Sequence, residues 1–248
     1  MKVEIYSDIA CPWCYVGKSR FERALSAFPQ ADSVEVVYRP FQLDPAAPQQ
    51  PRGHREVLAQ KYGPQAVAMD ERITQLGAAE GITFDFDTVL ENNSLLAHRL
   101  LRYALDTHGA ETQTRLKGRL MAAHFGEGMD IGDREQLADA AAAVGLDRDA
   151  VAAFLRSDDL RAEVQADIDE AHQLGISAVP TFVFEGQWAV QGGQETSTFL
   201  RVLEQVAKET ANAGLKTPDA LAADTAASGA GDAACADGVC EIPPAAAH

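Results

Sequence analysis

No stretch of this 248-residue chain approaches the ~18 consecutive apolar residues of a membrane-spanning helix. Its opening, MKVEIYSD, sets Glu4 and Asp8 where a secretion signal would carry its apolar run. Met1 therefore reads as an uncleaved start, and the cytosol as the default compartment. Positive charge is scarce: 21 Lys and Arg face 37 Asp and Glu, for a net charge of −16. A surface that negative repels phosphate backbones and anionic lipid, so neither nucleic acid nor a membrane is an expected partner. Cysteine is scarce too, and four residues in a chain of this length do not make a disulfide-stapled scaffold. What remains is an ordinary globular composition, 46% hydrophobic and 23% charged. The length suits one large domain or a domain carrying a sizeable insertion.

Lys2 to Tyr6 alternates with period two, with Val3 and Ile5 on one face, and reads as a short strand. Cys11-Pro12 then opens a helix to about Phe28, because Pro is preorganised for a first helical turn and Val16, Phe21, Ala24, Leu25 and Phe28 recur at helical spacing. Ser33 to Tyr38 is a second strand, and the prolines at 40, 45, 48 and 51 forbid regular structure until about Gly53. From His54 to about Leu174 the pattern is Ala/Leu-rich and helical, broken at Gly63-Pro64, Gly81 to Phe86, Gly109, Gly126 to Gly132, Gly145 and near Ser157. That spacing predicts about six or seven helices. Thr181 to Phe184 and Trp188 to Gln191 are two more strands, and Ser197 to about Ala213 is a last amphipathic helix. Gly192-Gly193 between them reads as a turn, since no Lys-Ser/Thr follows to make a phosphate loop. Beyond Lys216 there is no Lys or Arg, and an acidic Ala/Gly/Ser/Pro tail is expected to be a mobile appendage.

The four cysteines fall in two close pairs. Cys11-Pro12-Trp13-Cys14 sits where a strand feeds the first turn of a helix. Unpaired N–H groups and the positive end of the helix dipole favour an anionic sulfur there, which makes Cys11 the expected nucleophile. Cys14, one turn deeper, can close a disulfide with it and suits the resolving position in thiol exchange. A bridge across two residues adds little loop entropy, so redox chemistry is favoured over a structural bridge, with metal binding as the alternative.

The order β-α-β with CPWC at the helix start, a helical insertion, then Val179-Pro180-Thr181 before β-β-α resembles the DsbA-like branch of the thioredoxin superfamily. The segments SDIACPWCYVG, YRPFQLDP, AHRLL and GISAVPTFVF look like its FrnE type, which is similar also to hydroxychromene-carboxylate isomerases and kappa-class glutathione transferases. The resemblance spans residues 1 to about 210. It implies an α/β thioredoxin fold, discontinuous over 1–53 and 175–213, with an all-helical insertion at 54–174 and a tail at 214–248. Isomerase members typically replace the first cysteine by serine, so Cys11 favours the redox branch. Trp13 stands where DsbA-like oxidants carry a histidine; an indole cannot become cationic and stabilise a thiolate in that way. The resemblance also implies a cis Pro180 facing the cysteines. Val179 would then offer a short backbone edge on which an extended substrate lies. By its helix alone His98 reads as a satisfied core or surface histidine; through AHRL the resemblance makes it a substrate-side contact. Asp8 is expected to be a solvated loop carboxylate.

Cys235-Ala236-Asp237-Gly238-Val239-Cys240 centres on Asp-Gly, the preferred two-residue hairpin turn, and would bring both cysteines within disulfide range. A flexible connection of about 22 residues after Ala213 spans about 25–28 Å, enough to reach Cys11 and relay electrons. The expected function is thus thiol–disulfide oxidation, reduction or isomerisation of protein substrates, with Cys11 and Cys14 catalytic. Pro12, Trp13, Val179, Pro180 and His98 would be substrate-binding, and Cys235 and Cys240 a second redox pair. No cofactor or metal is required, and glutathione or a thioredoxin-type reductant is the candidate electron partner. The alternatives are a zinc protein using all four cysteines and a glutathione-dependent isomerase or transferase of small aromatic substrates.

Overall fold

The computed structural model describes residues 1–215 and 239–241. β1 (Lys2–Ser7) buries Val3 and Ile5 as its alternation predicts. α1 (Pro12–Ala27) follows, with Pro12 at its start and Phe28 as C-cap. A short 3-10 turn, Ala31–Ser33, delays β2 to Glu35–Pro40, later than the sequence pattern suggests. Two two-residue strands went unforeseen: β3 (Arg52–Gly53) pairs with β4 (Leu90–Glu91), too short to carry a period.

The insertion is α2 (His54–Tyr62), α3 (Gln65–Ala79), α4 (Leu95–Glu127), α5 (Arg134–Ala142), α6 (Arg148–Arg156) and α7 (Arg161–Gln173). Within α4 the backbone at Gly109 is non-helical (φ 83°, ψ 174°), so two helical stretches meet there at a kink, where the sequence places a break. Its C-cap is the left-handed Gly128. Asp133 and Asp147 cap α5 and α6 through their side chains. β5 (Thr181–Phe184), β6 (Trp188–Gln191) and α8 (Thr196–Leu215) complete the fold.

A five-stranded mixed sheet has the order β2-β1-β5-β6-β7, with β1 parallel to β2 and antiparallel to β5. β7 (Val239–Glu241) pairs antiparallel with β6 at the sheet edge, with Cys240 opposite Ala189. Cys235 and the Asp237-Gly238 turn lie outside the described residues.

Phe21, Phe182, Phe184, Phe199 and Leu203 fill the space between the sheet, α1 and α8. Leu100, Leu116, Leu120, Leu137 and Leu155 hold the helical block together. A third cluster joins the two and contains Cys11 and Cys14. α4 grips the sheet edge at Gln113, whose side-chain oxygen accepts from the Tyr38 N–H (2.8 Å) while its NH2 donates to the Tyr38 carbonyl (2.9 Å). These bonds occupy backbone groups that the edge strand β2 would otherwise leave open. No helix of the described residues is long and apolar enough to cross a membrane.

Candidate active site

β1 ends at Ser7, and a three-residue turn delivers Cys11 to the N-cap of α1 in extended backbone conformation. Its Sγ accepts the Cys14 N–H at 3.3 Å, doing the work of a Ser or Asp cap. Cys14 lies one turn deeper. Both are free thiols, 4% and 2% exposed, so Cys11 is the outer one by a small margin. Val16, Phe84, Phe86, Met121 and Phe125 pack around them, whereas Trp13 turns out to solvent at 38% exposure.

The Val179–Pro180 peptide is cis. The Val179 carbonyl oxygen sits 3.8 Å from Cys11 Sγ, an S–H···O contact that puts this loop against the outer cysteine. Two glycines permit the approach. A Cβ on Gly17 would stand 2.9 Å from Pro180 Cγ, and one on Gly193 would stand 3.3 Å from the Gly17 nitrogen and the Trp13 oxygen. Gly192, at φ 85°, turns the chain and donates its N–H to the Pro180 carbonyl at 2.7 Å.

Asp8 departs from expectation. It is 2% exposed, not solvated: Oδ1 meets His98 Nε2 at 3.1 Å and Oδ2 accepts the Leu43 N–H at 2.8 Å. His98, also 2% exposed, is therefore spent on Asp8 behind the cysteines, which replaces the expected substrate-side contact. Burial alone would raise the Asp8 pKa, but the hydrogen bond and charge of His98, with the Leu43 N–H, outweigh it and hold the group at about 2. Burial pushes His98 below its ordinary value, against the pull of Asp8. At neutral pH the pair is thus a carboxylate accepting from a neutral imidazole, which assigns the ring proton to Nε2.

The unforeseen member is Lys117 of α4. It is fully buried, its Nζ has no hydrogen-bond partner among the described residues, and it lies over the Tyr38 ring at 5.7 Å. Burial brings its pKa down to about 8, opposed by the charges of Cys14, Asp8 and Cys11. The hydrogen bond from Cys11 to Cys14, burial and the Asp8 charge raise Cys11. Burial also opposes ionisation of Cys14, but the Cys11 S–H and the Lys117 charge lower it. The helix N-terminus favours a thiolate on Cys11, while the Lys117 charge favours one on Cys14. A signal for Lys117 was present: Gln113, Lys117, Met121 and Phe125 recur every four residues, a lysine set into a stripe that faces inward.

A stability prediction follows from Asp8. Its folded pKa lies below the ordinary 3.8, so the unfolded chain binds the proton first and stability falls as pH drops from about 4 towards 2. The lowered His98 acts in the same direction below about 6.5. Urea unfolding of Asp8→Asn is expected to lose about 2 kcal/mol of this acid sensitivity relative to wild type. Parallel pH profiles for the two proteins would show that Asp8 carries none of it.

Among solved structures, one described as a probable DsbA oxidoreductase, SCO1869 from Streptomyces coelicolor, is 35% identical. It superposes with a TM-score of 0.78 over 98% of this chain and 99% of its own. The cytosolic disulfide reductase DsbM from Pseudomonas aeruginosa, solved with GSH, shares the fold at 21% identity and TM-score 0.57, over 84% of this chain and 100% of its own. The uncharacterized protein YwbO of Bacillus subtilis is 27% identical over 211 residues, 84% of this chain and 98% of that protein. The family model for the DSBA-like thioredoxin domain matches residues 2–204, spanning both cysteines, the inserted helices and the cis proline. This chain belongs to the DSBA-like thioredoxin domain family.

Proposed function

We propose that the protein exchanges thiols and disulfides at Cys11 and Cys14, with protein disulfides as substrates. The supporting observation is the Val179 carbonyl beside Cys11 Sγ at 3.8 Å, with exposed Trp13 two residues along from Cys11. An extended chain pairing with the Val179 backbone would carry its sulfur to Cys11, while the Trp13 indole covers its flank. Cys11 attacks a substrate sulfur and releases the other as thiolate; Cys14 then attacks Cys11 and frees the first. Two electrons pass from the dithiol to the substrate. Glutathione, the molecule bound to the Pseudomonas aeruginosa reductase, is the candidate for returning them.

Insulin precipitation with dithiothreitol tests this reading: catalysis supports it, and no acceleration over background overturns it. Glutathione-dependent isomerisation of a small aromatic without insulin reduction would favour the transferase alternative. The zinc reading is poorly supported, because Cys240 lies in register with Glu4 and three strands to the side of β1, about 14 Å at ordinary strand spacing. The same register means that relay by a Cys235/Cys240 pair would require β7 to leave the sheet edge.

Trp13 leads to a prediction about driving force. With an indole in place of a cationic histidine, the CPWC potential is expected nearer thioredoxin's, about −270 mV, than DsbA's, about −120 mV. Trp13→His should raise it by about 30 mV for each tenfold stabilisation of the reduced form. Equilibration with glutathione buffers measures both. A wild-type value near −120 mV, or no rise in the variant, refutes the role given to residue 13.

A further inference from the structure

We propose that Arg20 is a positioning residue for the exchange reaction: it clamps the turn that carries the cis-proline loop against α1, and so holds the Val179 edge beside Cys11. The proposal rests on the reading given above, in which an extended substrate lies along that edge. Arg20 belongs to the same helix as Cys14, and its side chain is only 7% exposed. Its guanidinium fork is shared between two distant parts of the chain. Nη1 donates to the Gly193 carbonyl at 2.9 Å and stands 2.9 Å from Glu195 Oε1, while Nε donates to Glu80 Oε1 at 2.8 Å.

The Gly193 contact gives the arginine its bearing on the site. Gly193 approaches α1 so closely that a Cβ there would stand 3.3 Å from both the Trp13 oxygen and the Gly17 nitrogen. The preceding residue, Gly192, donates its N–H to the Pro180 carbonyl at 2.7 Å. Direct contacts therefore run from Arg20 through Gly193 and Gly192 to Pro180, and the Val179 carbonyl on the other side of that proline faces Cys11 Sγ. The turn has little support of its own. The β5–β6 ladder ends at the Thr181–Gln191 pair, and two successive glycines have no side chains with which to anchor themselves. Arg20 supplies the anchor from the helix that bears the cysteines.

Glu80 fixes the other end of the clamp. It is the C-cap residue of α3, its side chain is 7% exposed, and its second oxygen lies 2.7 Å from Arg23 Nη2. A buried carboxylate against Nε sets the plane of the guanidinium and so aims Nη1 at the Gly193 carbonyl. Glu195, 71% exposed, adds little to this hold. The helical insertion thus bears on the substrate edge through one side chain, without touching either sulfur.

The test uses the full chain in a Cys14→Ser background, so that the mixed disulfide on Cys11 accumulates. In that step the Cys11 thiolate attacks one sulfur of the probe and the other leaves as thiolate. One probe is the disulfide-linked dimer of a short extended peptide with a central cysteine; the other is bis(2-hydroxyethyl) disulfide, which has no backbone to pair with Val179. Arg20→Met should slow adduct formation with the peptide by about tenfold, since misplacing a bound reactant by about 1 Å costs up to about a hundredfold. The rate with the small disulfide should stay within about twofold. Amide hydrogen exchange should quicken at Gly192 and not at Phe182, which lies inside the ladder. Equal losses on both probes, no loss on either, or unchanged exchange at Gly192 overturns the proposal. Should Arg20→Met not fold, Arg20→Met/Glu80→Gln, which removes the buried charge left behind, is put through the same measurements. If that chain does not fold either, Arg20 is structural and the proposal is wrong. A parent protein that reacts with neither probe refutes the exchange reading itself; one that reacts no faster with the peptide than with the small disulfide refutes the Val179 edge, and the clamp with it.

Discussion

Insulin reduction by Cys11→Ser is expected to fall to the uncatalysed background, the largest activity change available from a single substitution. Serine caps a helix as well as the cysteine does, so the Cys11 cap is preserved and the fold should survive. What disappears is the nucleophile: a hydroxyl is far less acidic than a thiol and cannot hold a substrate sulfur. Cys14→Ser should behave differently. Cys11 can still attack, but nothing buried beneath it can resolve the product, so mixed disulfides accumulate and survive non-reducing electrophoresis. Single-turnover assays and mass spectrometry of the trapped species separate the two variants. Wild-type turnover by Cys11→Ser, or adducts carried on Cys14 in place of Cys11, would falsify the order of attack and resolution.

Lys117→Met is expected to make the protein more stable at pH 7. Bringing a lysine pKa from 10.5 to about 8 inside the fold corresponds to about 3 kcal/mol spent on keeping its charge buried. The unfolded chain holds the proton more tightly, so the cost is present in full below pH 8 and relieved as pH rises towards 10.5. Methionine fills a similar volume without charge, but it gives up the contact with the Tyr38 ring, so a net gain of about 1–3 kcal/mol is expected. Urea unfolding under reducing conditions at pH 7 and pH 9.5 should show the gain shrinking at the higher pH. A variant less stable than wild type at pH 7 would mean that Lys117 is held by compensating charge, chiefly the Cys14 thiolate and Asp8, and is structural first.

Much of the framework was written locally. The Val3/Ile5 alternation, Pro12 at a helix start, and the glycines at 63, 128 and 145 mark strand and helix ends through φ/ψ preferences that neighbours a few residues away satisfy. The CPWC pair was legible for the same reason, since cap, turn and both sulfurs lie within four consecutive residues. The resemblance to known sequences supplied the cis proline, which no local signal distinguishes from a trans one. β3 and β4 escaped notice because strands of two residues have no period to read and exist only through their partners.

The sequence by itself determined which residues could react: a dithiol at a helix N-terminus, a Val-Pro loop and an acidic surface. The tertiary structure decided how they would react, because an environment is made by residues distant in sequence. Asp8 became an anion held below its ordinary pKa only when α4 brought His98 to it, 90 residues along the chain. Lys117 acquired its altered proton affinity only when the same helix closed over the cysteines and the edge of β2. Burial and charge–charge coupling are properties of the packed volume, and no period or motif in a one-dimensional sequence encodes them directly.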